Sequence, residues 1–268
     1  MSGISPAERQ RQGLLRPGSG SSLAPKAAPQ RSAFQSNSLT AVDKTRPGNT
    51  SVQAIKLHVV EHVGTMGYRA LTDIEKAALR AGILDELAFL KEQGISIEVD
   101  FVKTEKRDRN PGDIDIHLVD PKISPSSLAP ILAEYVEKPD DLMKGVRDHL
   151  ASQHGARVGV PGRSGAILVP VGAMTRDIGS RADIGGTEQE VEAAQHTMGT
   201  ALSRRVLHEI GHELGLGHAA KAKPQPIMIE NLEYTTTTTK EEFVDMHLLA
   251  PEKVRLVSAL KRRLENTK

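Results

Sequence analysis

The chain has 268 residues, 38% hydrophobic and 3% aromatic, with a formal net charge of +1 and neither Cys nor Trp. That length allows one large domain or two small ones, and the even charge gives no global field for nucleic acid or an anionic membrane. The missing thiols exclude disulfides and Cys metal ligands, and the few aromatics leave the core to aliphatic side chains.

Residues 1–50 are rich in Ser, Pro, Gly, Gln and Ala, and carry Arg9, Arg11, Arg16, Lys26, Arg31, Lys44 and Arg46 against Glu8 and Asp43. Lacking sustained apolar periodicity, they are expected to form a disordered tail. Their Ser-rich, acid-poor composition resembles bacterial type III secretion signals. Export by a leaderless route therefore stands beside a cytoplasmic location. No apolar signal-peptide core is expected at the N-terminus, and no run approaches membrane-spanning length.

From Ile55 the pattern changes. Ile55–Glu61 is β-branched and partly alternating, and reads as a strand. Thr72 and Glu75 make a capping box, and Ile74, Ala77, Ala78, Ala81, Leu84, Leu87, Ala88 and Leu90 recur at helical spacing before Gly94. Ile95–Phe101 and Asp113–Asp120 alternate as strands. Helix is predicted between Ser126 and His154, interrupted near Pro139, and two short apolar runs follow at Arg157–Val160 and Gly165–Val171. Thr187 and Glu190 form a second capping box, after which Val191, Ala194, Met198, Leu202, Val206, Ile210 and Leu214 predict one long helix, with Gly199 marking a kink or an earlier boundary. The Thr235–Thr239 run reads as a linker. Glu241–Leu249 and Pro251–Leu264 read as helices, with Arg255, Lys261, Arg262 and Arg263 on a solvated face.

Within the long helix, Val206 to His218 reads VLHEIGHELGLGH. His208 and His212 lie one turn apart on one helical face, close enough to share an ion. Glu209, one step round, reaches a water on that ion more easily than the ion itself. Gly215 can take the left-handed conformation that ends the helix and turns the chain, bringing His218 back as a third ligand. Three neutral imidazoles with one open position suit one catalytic zinc rather than a structural one. Independent draws from this composition give the pattern on the order of once in ten thousand chains. The remaining His58, His62, His117, His149, His154, His196 and His247 read as ordinary surface or core residues. His58 and His62 share a strand face but stand too far apart to chelate.

His208, Glu209, His212, Gly215 and His218 match the HExxHxxGxxH signature of the metzincin metalloproteases, which this segment resembles. The resemblance implies an α+β fold: a mixed twisted sheet with helices, a long zinc-binding active helix, and a small, mostly helical C-terminal subdomain. Residues 51–268 would be the protease domain, with 51–215 as upper and 216–268 as lower subdomain. A Met-turn is implied below the zinc, and Met228 in Pro226–Ile229 is its candidate, against the bland reading of an ordinary core Met. The Tyr found two residues after that Met in astacin-like and serralysin-like members is Glu230 here, with Tyr234 nearby. Ala219, after the third His, points to no subfamily. Metzincins also pair extended substrate with a sheet-edge strand, and Gly165–Val171 occupies that place in the order. Pro170 suits an edge, although an interior strand ending at Pro170 fits as well.

These features predict a monomeric zinc endopeptidase acting on protein or peptide substrates, with Glu209 as general base. Two alternatives stand. One is a three-His endoribonuclease of the rRNA-maturation type, which requires no Glu after the first His. The other is an inactive protease scaffold that binds a partner, although no ligand or base is missing. No nucleic acid partner is expected.

Overall fold

The computed structural model describes residues 53–62, 70–102, 110, 112–152, 155–159, 165–171, 186–220, 225–229 and 246–266. These belong to a unit spanning 49–268. The expected tail, the Thr235–Thr239 linker, Glu230, Tyr234 and His154 lie outside the described residues.

The alternating apolar runs form strands β1 (Gln53–Glu61), β2 (Ile95–Val102), β3 (Ile114–Val119), β4 (Ala156–Val158) and β5 (Ala166–Pro170). They make one mixed sheet in the order β2-β1-β3-β5-β4. The first four positions are parallel, and β4 runs antiparallel to β5 with Arg157 opposite Ile167. Every residue of β3 and β5 is buried, because helices cover both faces of the sheet.

One face carries Ile55, Leu57, Val59, Ile114, Ile116, Ile167 and Val169 into the main core. Helices α1 (Asp73–Glu86) and α4 (Glu188–Glu213) supply Leu79, Ile83, Met198, Leu202 and Val206 to it. The opposite face carries Val119, Leu168, Ala156 and Val158 against α2 (Pro125–Ala133) and α3 (Pro139–Ala151) through Leu128, Leu132, Val146 and Leu150. The chain is therefore α+β, a mixed five-stranded sheet with helices on both faces.

Both predicted capping boxes form, at Thr72–Glu75 and at Thr187–Glu190. The buried stripe of α1 differs from expectation. It runs through Glu75, Ala78, Leu79, Ile83 and Glu86, while Ala77, Ala81 and Ala88 are exposed. Two partnered acids sit on the buried face: Glu75 closes the capping box, and Glu86 accepts from Leu248 N–H at 2.7 Å and meets His247 Nδ1 at 2.8 Å. The helix also ends earlier, and Ala88–Gln93 continues as a 3₁₀ turn closed by Gly94 at φ +73°.

At 26 residues α4 is about 39 Å long. Gly199 does not break it. A Cβ there would collide with the Glu75 carbonyl and lie 2.7 Å from the Ala78 Cβ, so this glycine lets α1 and α4 touch backbone to backbone.

The C-terminal part departs from two all-helical stretches. Met246–His247 is a strand, β7, paired in parallel with β6 (Gln225–Pro226). Helix α5 (Ala250–Glu265) begins with Pro251 in its first turn, as expected, and its Leu256, Leu260 and Leu264 enter the main core. Arg255, Lys261 and Arg262 are exposed, but Arg263 is not: its side chain is 14% exposed and bound to Glu213 and to two backbone carbonyls.

The order of strands also corrects the expected substrate edge. β5 is interior, paired on both sides, and among the described residues β4 is the edge beyond it. Pro170 fits because it is the last residue of β5, and the ladder resumes through Val171 N–H to Val119 O at 2.9 Å.

Candidate functional site

The last turns of α4 carry His208 and His212, and the chain then reverses at Gly215, whose φ is +83°. A Cβ strains that backbone, so glycine is the natural residue there. Leu216 N–H donates to Gly211 O at 2.8 Å and Gly215 N–H to His212 O at 3.0 Å, which closes the turn and returns His218 to the helix end.

The imidazole orientations follow from their backbone partners. His208 Nδ1 lies 2.8 Å from Ile227 O, and His212 Nδ1 lies 3.0 Å from Leu216 O. A carbonyl can only accept, so both Nδ1 atoms donate. In the neutral rings the Nε2 atoms then carry bare lone pairs. His208 Nε2 and His212 Nε2 are 3.0 Å apart, and His212 Nε2 and His218 Nε2 are 3.1 Å apart. The bare Nε2 atoms of His208 and His212 repel each other at that distance and cannot bond without a cation or proton between them. The three His could hold a metal ion, one nitrogen each.

Burial grades across the group. His208 is buried, His212 half-buried and His218 exposed, so the cluster opens to solvent on the His218 side. Burial pulls the His208 imidazole down to about 4, helped by the charges of His212, His218 and Arg205 and opposed by the Ile227 carbonyl. Its ring is therefore neutral at physiological pH, the form that donates a lone pair.

Glu209 does not join the three His. Its Oε1 accepts from Gly155 N–H at 3.2 Å, and a Cβ at 155 would overlap its carboxylate. Burial pushes its carboxyl up, against the opposing charges of His212 and Arg205 and the Gly155 bond. A carboxyl so placed is a stronger proton acceptor than one in water.

Met228, fully buried, lies under the helix with its sulfur against Gly211. A Cβ at Gly211 would also stand 2.9 Å from Met228 Cε and 3.3 Å from Leu216 Cδ1. The segment holding Met228 is tied to the site twice: Ile227 O receives His208, and Met228 O receives Ala219 N–H at 2.6 Å.

The group opens into a cleft of about 560 Å³. One wall is the α3 face with Asp141, Leu142, Gly145, Val146 and His149. Another is the start of the sheet edge, Gly155, Ala156 and Arg157. His208, Glu209, His212 and His218 line the remainder.

All four residues singled out from the motif thus share one cleft. Sequence reasoning missed Gly155, Gly211 and His149, and it passed over Arg157 as part of an apolar run. The two glycines carried a signal, a small residue where backbone or side chain must approach closely, but no regular spacing announced it. His58 and His62 form no common group: His58 Nε2 meets Asp113 at 3.3 Å, and His62 Nε2 meets His117 Nδ1 at 2.7 Å.

No protein-family model and no curated protein sequence matches the chain. Among solved structures, metalloproteinase-II from Bacteroides fragilis is similar, with 13% identity and a TM-score of 0.39 over 78% of this chain. The matched part spans about half of that protein, 54% of its length. No helix among the described residues is long and apolar enough to cross a membrane.

Proposed function

We propose that this chain is a zinc endopeptidase of the metzincin kind. The observation that carries it is the convergence of three Nε2 nitrogens, within 3.0–3.1 Å of one another along the pairs His208–His212 and His212–His218, beside a half-buried carboxylate in one open cleft. Tetrahedral zinc at about 2.0–2.1 Å from each nitrogen sets neighbouring nitrogens roughly 3.3 Å apart, which these rings reach with small adjustments. All-nitrogen, neutral donors with an open fourth side suit zinc better than calcium or magnesium.

His208, His212 and His218 would hold the zinc, and the Ile227 and Leu216 carbonyls would fix the first two rings from behind. When bound, zinc supplies Lewis acidity, polarising the scissile carbonyl and making water acidic enough to lose a proton near neutral pH. Glu209 accepts that proton as the water attacks, and passes it to the departing amine. Met228 would serve as the Met-turn residue, an apolar floor that presses on Gly211 between the two helical ligands. Extended substrate would add to the sheet along β4, the edge whose first residues line the cleft. The domain division follows the same reading: a tail over 1–50, and a protease domain over 51–268 split near 215.

The test is cleavage of a diverse peptide library by zinc-loaded protein, with and without a chelator, for wild type and Glu209→Gln. Chelator-sensitive cleavage that falls roughly 10²-fold or more in Glu209→Gln, with zinc retained, is the expected result. Full zinc occupancy with no cleavage of any peptide, or cleavage of RNA instead, would overturn the reading.

A further inference from the structure

A buried carboxylate sits one residue beyond the second helical ligand. The Glu213 side chain is 2% exposed and packed onto Gly165, where an added Cβ would stand 2.8 Å from its Oε1. Two guanidinium groups share it. Arg263, from α5, places Nη1 2.9 Å from Oε1 and gives its other donors to Gly112 O at 3.2 Å and Asp113 O at 2.9 Å. Arg157, from the edge strand, places Nε 2.5 Å from Oε2.

The two arginines are not equivalent. Arg263 is nearly enclosed and its donors are used. Arg157 is held through Nε alone, its side chain is 49% exposed, and it lines the cleft. Among the described residues its Nη groups have no hydrogen-bond partner, and Asp141, the cleft's other charged side chain besides Glu209, is not paired with it. Two cations on one anion leave positive charge over, and the part facing the cleft belongs to Arg157.

Strand geometry gives this charge an address. In β4, Ala156 and Val158 point into the core shared with α3, and Arg157 points to the opposite face, toward the end of α4. A chain added beside β4 would set its side chains opposite and diagonal to Arg157, within reach of a long side chain. Glu213 holds the guanidinium on its Nε side by an ion pair without a hydrogen bond at Oε2, which leaves the two-pronged Nη end open to bidentate contact with a carboxylate.

We propose that Arg157 forms an acidic-residue subsite, so that the preferred substrates carry Glu or Asp where the peptide passes Arg157. This rests on the endopeptidase reading for its geometry, with substrate lying along β4. Glu213 acts as a positioning residue for Arg157 and makes no contact with substrate.

The experiment uses blocked octapeptides of one Ala/Leu host in which Glu, Gln or Lys is stepped through every position. Cleavage is measured with the zinc-loaded full chain, and binding is measured by calorimetry with zinc-loaded Glu209→Gln. The expected result is one position where Glu exceeds Gln and Lys by roughly three- to tenfold, in kcat/KM and in affinity, with the margin shrinking as salt rises. Arg157→Gln should erase that margin, and Arg157→Lys should keep part of it. Cleavage with no Glu preference at any position overturns the subsite and leaves the endopeptidase reading standing. Glu-selective binding, lost in Arg157→Gln but never followed by cleavage, supports the subsite and removes the endopeptidase. Neither binding nor cleavage overturns both. Should the Arg157 variants fail to fold, the Glu-to-Gln ratio in the wild type decides alone.

Discussion

Gly155 N–H donates to Glu209 Oε1 at 3.2 Å, and the Glu209 carboxylate occupies the space a side chain at 155 would need. The residue before the edge strand thus both orients the proposed base and makes room for it. Gly155→Ala is predicted to push the carboxylate out of place while leaving the three His untouched. Turnover should fall roughly 10²-fold, the effect expected of an ångström-scale misplacement. Zinc stoichiometry should stay at the wild-type value. Near-normal kcat in a folded Gly155→Ala protein would show that this contact does not position the base.

The three proposed ligands differ in what else they do, so their alanine variants should differ too. His218 is exposed, and its loss should leave the metal-free protein within about 0.5 kcal/mol of wild type, as for surface changes in general. His208 is buried and bonded to Ile227 O, so His208→Ala leaves a cavity and an unpaired carbonyl. That should cost about 1–3 kcal/mol even without metal. Both should lose zinc. Thermal melts of chelated protein beside metal analysis would check this, and full zinc occupancy in His218→Ala would exclude it as third ligand.

The grouping of the candidate site was legible because its signal is local. His208, Glu209, His212, Gly215 and His218 fall within one helix end and one turn, where residue spacing translates directly into direction. The strands were legible because their apolar runs are dense. What failed was non-local. The buried stripe of α1 contains Glu75 and Glu86, and no hydropathy pattern marks an acid as buried when its partners are a backbone N–H at Thr72 and residues 247 and 248. Arg263 looked solvated for the same reason. The edge of the sheet was misplaced because β4 has three residues, too few for a period, whereas Pro170 gave β5 a false edge signal. His149 and Arg157 join the cleft from elements about 60 and 50 residues before the motif, and only the tertiary fold brings them there.

Gly211 and Met228 give a sharper test of the helix floor. Gly211→Ala would put a methyl where the Met228 sulfur lies and force either the helix or the Met228 segment to shift. Overpacking of this kind costs about 1–3 kcal/mol. Since Ile227 O orients His208, zinc affinity should fall as well. Pairing Gly211→Ala with Met228→Ala should recover part of the lost stability, because the second change removes the obstacle. A double mutant no more stable than the sum of its parts, measured by denaturant titration, would show that the two residues do not press on each other.

The edge strand and its neighbour should respond differently to proline. β5 is paired with β3 on one side and β4 on the other, so most of its N–H groups are used within the sheet. Proline at Ile167, Leu168 or Val169 should therefore destabilise, by about 3 kcal/mol or more where a ladder bond is lost. Among the described residues β4 is bonded only to β5. In an antiparallel pair successive N–H groups alternate between the partner and the open side. Proline at Arg157 and proline at its neighbours Ala156 and Val158 should thus give opposite results. One class should lower Tm, and the other should hold Tm and zinc content while raising KM for peptides, because it removes a donor that only substrate uses. Substituting at Ala156 or Val158 is the cleaner comparison with β5, since Arg157→Pro also deletes the guanidinium. If all β4 prolines hold Tm and none moves KM, substrate does not pair with this edge.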